Sequence, residues 1–169
     1  GIHRNALPIY EFPDQQVVKR FVANSPLRTS SLRSLGAQCN VFAIESFMDE
    51  LAEAAQMDAL TFRLNHLGDQ RAKDVLQAAA DRVDWGKSDL ASGHGQGIAV
   101  AQYKNMQCYA AVAVELEVTD AAEIRLHRVT LAADAGQVVD AAGLTAQMEG
   151  GFLQAASWTL YEQVTFDRD

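Results

Sequence analysis

Ala110-Ala111-Val112-Ala113-Val114-Glu115-Leu116-Glu117-Val118-Thr119 alternates with a period of two. Ala110, Val112, Val114, Leu116 and Val118 form one phase, and Ala111, Ala113, Glu115, Glu117 and Thr119 the other. That period predicts a half-buried β-strand. Upstream the period is different. Val41, Ile44, Met48, Leu51 and Ala55 recur at three- and four-residue spacing, which is one face of a helix. The switch from one period to the other decides the fold class: an α+β chain, with helices segregated from a small antiparallel sheet rather than interleaved with parallel strands.

Working outward, a helical block is expected over about 40–84. Asn40 is a candidate N-cap for its first helix, with Asp49, Glu50 and Glu53 toward solvent. Asp58 caps a short second helix that Gly68 ends, and Asp69 caps a third with Val75, Leu76, Ala79 and Val83 inward. Trp85 to Gly97, with four glycines, reads as a linker. Gly97 to Tyr103 and Ile124 to Leu131 supply partners for the alternating strand, giving a three-stranded antiparallel meander over about 97–133 with a turn at Asp120 to Glu123. Val129 and Leu131 are out of phase with Ile124 and Leu126, which predicts a bulge near His127-Arg128. A last helix follows over about 144–161. Residues 1–31 read as irregular with a short strand at Gln16 to Val22, and a loop rich in Ser and Thr runs from Ser25-Pro26 to Leu35-Gly36.

The bulk numbers exclude several classes. The chain has 169 residues, about one domain, and a net charge of −8, which argues against a nucleic-acid partner. No apolar run is long enough to span a bilayer. Cys39 and Cys108 lack metal-ligand spacing and read as buried free thiols. His3, His66, His94 and His127 are widely separated, so no protein-ligated metal is expected, and His127 reads as a packed or surface residue. The absent initiator Met and a strand starting at Thr165-Phe166-Asp167-Arg168-Asp169 read as a piece of a longer polypeptide.

Chemistry-bearing segments are few. Gly93-His94-Gly95-Gln96-Gly97 leads into a strand rather than out of one into a helix, so it is a strand entry and not a dinucleotide loop. In Ala146-Gln147-Met148-Glu149-Gly150-Gly151-Phe152, two glycines interrupt a helix-like stretch. Each costs about 0.5–1 kcal/mol relative to alanine, so close approach of another element or a ligand is expected there. Gln147, expected in that helix's first turn, offers both a donor and an acceptor without charge. Glu149 is favourable dipole chemistry near a helix N-terminus, and nothing marks it as a base. Arg33 is either a solvated or capping arginine or an anion contact with neighbouring backbone N–H groups. Asp134 is expected to fasten the turn at Ala135-Gly136.

Taken in order, Leu32-Arg33-Ser34-Leu35-Gly36, Asn40 to Ala52, Asp58 to Leu64, Gly95-Gln96-Gly97-Ile98-Ala99, Ala133 to Val139 and Ala146 to Gly151 resemble the molybdopterin-binding large subunit of the xanthine dehydrogenase/aldehyde oxidase family. The likeness is strongest to its members of the isoquinoline 1-oxidoreductase (beta chain) and nicotinate dehydrogenase (large chain) type. The resemblance implies a fragment of a molybdenum hydroxylase. Such an oxidoreductase hydroxylates an N-heteroaromatic compound or an aldehyde with water-derived oxygen, and electrons leave through a small iron–sulfur subunit. It implies molybdopterin as cofactor, held by Gln147, Arg33, Leu32, Gly36, Gly150 and Gly151, and no protein ligand to the metal. The family's glutamate base lies in a segment expected beyond Asp169. The remainder of the large subunit is therefore an implied partner, and this fragment alone is expected to hold no cofactor and to be inactive. The other readings are a non-catalytic interaction or cofactor-loading module that reuses the fold, and an unrelated α+β binding domain in which Gln147 and the glycines merely pack helices.

Overall fold

A computed structural model describes residues 1–25, 32–87 and 90–165. Most of the Ser/Thr-rich loop (26–31) and most of the C-terminal strand start (166–169) lie outside the described residues. Three helices come first: α1 (Ala37–Ala54), α2 (Ala59–His66) and α3 (Gln70–Arg82). Strands β1 (His94–Gln102), β2 (Tyr109–Val118) and β3 (Ile124–Asp134) follow, with a single 3-10 turn at Tyr103–Asn105, and α4 (Ala141–Leu160) closes the order. The sheet is an antiparallel meander in the order β1-β2-β3, so the architecture is the α+β arrangement that the periods predict.

The short-range signals hold where a side chain can bond its own backbone. Asp58 accepts from the Thr61 N–H at 2.8 Å and Asp69 from the Arg71 N–H at 2.9 Å, each satisfying a donor that a helix start leaves orphaned. The bulge is present: Glu115 opposes Arg128 but Leu116 opposes Leu126, leaving His127 as the extra residue.

Several expectations are corrected. Asn40 does not cap α1. The helix starts at Ala37 from Gly36, and the Asn40 amide instead donates to the carbonyls of Ile2 (2.8 Å) and Arg4 (2.9 Å), tying the N-terminal segment to the helix. Gly68 does not end α2, since the cap is Leu67 in an extended conformation. A Cβ on Gly68 would meet the end of the Glu11 side chain, which is exposed and can move aside, so this contact alone does not require the glycine. Gln16 to Val22 forms no strand and lies exposed. The linker is shorter than expected, because β1 already begins at His94. Helix α4 begins at Ala141, capped by Asp140, so Gln147 sits in its second turn and not its first. Both cysteines are exposed: Cys39 faces outward from α1 and Cys108 lies in the turn before β2.

The core lies between α1–α3 and one face of the sheet. The phase of β2 that is fully buried is the small one: Ala111 and Ala113 have no exposed surface, and Tyr109 joins them. Against them α3 buries Ala72, Val75, Leu76, Ala79 and Ala80. Alanines on both sides let helix and sheet approach closely, while the bulkier Val112, Val114 and Leu116 stay partly covered on the opposite face. That second face looks toward α4. Val129 and Leu131 of β3 and Leu144, Met148 and Phe152 of α4 border an apolar groove of about 580 Å³.

Candidate functional site

Arg33 belongs to a tight turn, in which the Leu35 N–H donates to the Leu32 carbonyl at 3.1 Å. Ser34 (φ +68°) and Leu35 (φ +55°) both occupy the left-handed region. Two consecutive non-glycine residues there cost of order 1–3 kcal/mol each, and such strain concentrates where geometry serves a site. The turn runs directly into α1, because the Ala37 N–H donates to the Ser34 carbonyl at 3.0 Å. The guanidinium is thereby launched from the rigid end of an 18-residue helix.

It reaches α4. Arg33 Nη2 donates to the Gln147 side-chain oxygen at 3.0 Å and to the Gln147 carbonyl at 3.1 Å, and Nη1 lies 3.5 Å from Gln154 Oε1. Gln147, Gly150, Gly151 and Gln154 follow the i, i+3, i+4, i+7 rule and form one stripe of α4. The glycines are the floor of that stripe. A Cβ on Gly151 would stand 3.6 Å from Arg33 Nη2, and one on Gly150 would stand 3.8 Å from Nη1. A Cβ at either glycine would meet the Arg33 guanidinium only at ordinary contact distance, so the guanidinium faces the glycine pair without itself requiring it. Gln154 is a contact that the sequence did not single out, although its place seven residues after Gln147 was a usable signal.

The other predicted residues fall differently. Leu32 is exposed and contributes its carbonyl to the turn. Among the described residues, no acceptor faces the N–H groups of Leu32 and Arg33, and none takes the Gln147 NH2. Gly36 is explained without a ligand, because a Cβ there would stand 2.4 Å from the Ile2 carbonyl oxygen. Glu149 is on another stripe, at the groove beside β3.

Asp134 fastens its turn as expected, accepting from the Gly136 N–H at 2.9 Å. It also takes a fork from Arg71, whose Nε and Nη2 each lie 2.7 Å from a carboxylate oxygen. The Arg71 bonds, helped by Gly136, hold the Asp134 carboxyl at about 2. Tyr109 Oη donates to Asp69 at 2.5 Å, and Arg71 lies over the Tyr109 ring. This cluster joins α3 to the sheet rather than lining the Arg33–Gln147 surface.

The donors that meet at α4 are a guanidinium and an amide over a floor without side chains, a set that suits an anionic, acceptor-rich group. Residues 30–169 match the molybdopterin cofactor-binding domain family. The chain belongs to that family. Its relatives carry oxidoreductase names. It is 34% identical to a nicotinate dehydrogenase subunit from Pseudomonas putida over 97% of this chain and 15% of that protein. It is 30% identical to the beta subunit of isoquinoline 1-oxidoreductase from Brevundimonas diminuta over 87% of this chain and 20% of that protein. It is 28% identical to a membrane-bound aldehyde dehydrogenase (pyrroloquinoline-quinone) from Gluconacetobacter polyoxogenes over 87% of this chain and 21% of that protein. The chain thus spans about a fifth or less of the length of these relatives. No helix among the described residues is long and apolar enough to cross a membrane.

Proposed function

We propose that this chain supplies one wall of the pterin cavity in the large subunit of a molybdopterin-dependent oxidoreductase. The observation that carries the reading is the convergence of Arg33 and Gln147, 114 residues apart, over a glycine floor. The acceptor oxygen of Gln147 is occupied by Arg33, so the amide is fixed with its NH2 outward as a donor toward the cofactor. Arg33, whose N–H groups are only partly taken by Gln147 and Gln154 among the described residues, offers charge to an anionic oxygen. The backbone N–H groups of Leu32 and Arg33 would add neutral donors. Gly150 and Gly151 keep the stripe low, and Gly36 acts at one remove by letting the segment around Ile2 seat the Arg33 turn.

When bound, the cofactor supplies the redox centre for hydroxylation with water-derived oxygen. The relatives' names point to an N-heteroaromatic compound or an aldehyde as substrate. The remainder of the same large subunit would complete the cavity and provide the glutamate base, and a small iron–sulfur subunit would take the electrons. A half-cavity leaves these polar groups open to water, where they lack the preorganised, water-excluded setting that makes such donors effective.

The test uses the full-length protein. Gln147→Ala should lower molybdenum and pterin content, and Arg33→Ala should lower turnover by a larger factor than it lowers thermal stability. Wild-type molybdenum and pterin in Gln147→Ala would refute the cofactor role of the stripe.

A further inference from the structure

His94, Glu117 and His127 are far apart in the chain, yet the meander gathers them at one end of its core-facing side. His94 is the direct partner of Glu117 in the β1–β2 ladder, so their side chains share a face. His127 arrives there through the bulge. In an unbroken β2–β3 ladder it would oppose Leu116 and point to the α4 side of the sheet. Because Leu116 instead opposes Leu126, His127 is the supernumerary residue and its ring turns to Glu117. His127 Nε2 lies 3.1 Å from Glu117 Oε2, and its ring stacks on His94 with centroids 5.0 Å apart and planes 12° apart. One ligand atom from each of the three residues lies within 4.8 Å of the other two.

The local charge favours a cation. Among the described residues Glu117 has no lysine or arginine partner. Arg125, its neighbour across the ladder, is held by Glu123 at 3.0 Å, and Lys87 pairs with Asp84 and Glu115. Two imidazoles and one carboxylate, on three adjacent strands that fix their spacing, form the ligand set of an open tetrahedral site whose fourth position is left to water. Half-exposure of Glu117 and His127 leaves that position accessible. Nitrogen-rich donors of this kind select late first-row divalent ions over Mg²⁺ and Ca²⁺. Tetrahedral bonds of about 2.0–2.2 Å put donor atoms roughly 3.3–3.6 Å apart. His127 and Glu117 stand near that spacing at 3.1 Å, and all three ligand atoms lie within 4.8 Å of one another, so binding requires a modest contraction around the ion.

We infer that His94, Glu117 and His127 bind one Zn²⁺ ion, which clips the three strands together at the bulged end of the sheet. This site is separate from the Arg33–Gln147 stripe and does not depend on its reading. The experiment takes full-length protein stripped with a chelator and measures Zn²⁺ by equilibrium dialysis and elemental analysis, alongside thermal unfolding with and without Zn²⁺. Wild type should bind one Zn²⁺ attributable to this site and melt higher in its presence. His127→Ala and Glu117→Gln, each checked by circular dichroism to be folded, should bind at least about tenfold more weakly and lose the shift. His3→Ala should behave as wild type. Failure of wild type to bind Zn²⁺, equal binding by both variants, or full displacement by millimolar Mg²⁺ overturns the inference.

Discussion

Arg63 is fully buried and charged, a combination that survives only with saturated partners. Its Nε donates to Glu45 Oε2 (2.9 Å) and its Nη2 to the Glu45 carbonyl (2.9 Å). Its Nη1 reaches Asp49 (2.7 Å) and the Ala59 carbonyl (3.2 Å). Glu45 also accepts from Tyr10 Oη (2.7 Å) and the Val100 N–H (3.1 Å). Burial, then the Glu45 charge, push the Tyr10 hydroxyl far above the phenol range, so it remains a donor. The network ties the N-terminal segment, α1, α2 and β1 to one point, and so fixes the helix into which the Arg33 turn runs. Removing one partner strands a buried charge, whereas removing both leaves nothing uncompensated. Arg63→Met should therefore cost about 3–5 kcal/mol. Glu45→Gln/Arg63→Met should cost less than the sum of the two single substitutions. Urea unfolding of the three variants measures this, and strict additivity would contradict the coupling. Nothing in the sequence announced the pair. Glu45 and Arg63 come from different helices, and the apolar stripe of α1 predicted only hydrophobic contacts there.

At the scale of elements, legibility follows the range of the interaction. The Asp58 and Asp69 caps and the bulge at His127 were readable because each is written in a few consecutive residues. The Asn40 cap failed because the Ile2 and Arg4 carbonyls compete for its amide. The buried phase of β2 was not legible either, because only the alanine-rich face of α3 decides that Ala111 and Ala113 go inside. The Arg71–Asp134 fork joins α3 to the end of β3 and carries a pH signature. Asp134 titrates near 2 when folded, below the ordinary value of 3.8. A depressed carboxylate contributes stability above its unfolded value and loses it as pH falls through the folded one. The stability gap between wild type and Asp134→Asn should thus be constant above about pH 5 and close between roughly pH 4 and 2. Because the pair is exposed, the gap should be small. Chemical denaturation at several pH values reads it, and a gap that widens toward pH 2 would be the wrong sign. On α4, an alanine Cβ at Gly151 would meet Arg33 at ordinary contact distance. Gly151→Ala should therefore keep the Arg33–Gln147 bond and stabilise the helix by about 0.5–1 kcal/mol. Gly151→Leu should push the guanidinium aside and, in the full-length protein, lower cofactor content. Equal loss from both would mean that the glycines serve something other than Arg33.

Across the whole molecule, the two sides of the sheet are finished to different degrees. Helix α3 buries five of its residues, whereas α4, with twenty, buries none. Val129, Leu131, Met148 and Phe152 border an open groove, and the Arg33–Gln147 bonds are exposed. An apolar, half-covered face beside a polar stripe is what a wall needs if further chain of the large subunit is to pack on it. A cavity completed by further chain, as proposed, would have a dynamic consequence. Local opening is easiest where few apolar contacts must be broken, so α4 should open by itself while α3 opens only with the core. In hydrogen exchange on this chain alone, amides of α4 should exchange orders of magnitude faster than those of α3, and the chain should retain little molybdopterin by elemental analysis. In the full-length protein the same α4 amides should become protected, because their partners are then present. If α4 is as protected as α3 in the chain alone, its own contacts suffice to hold it and the wall is already complete without a partner.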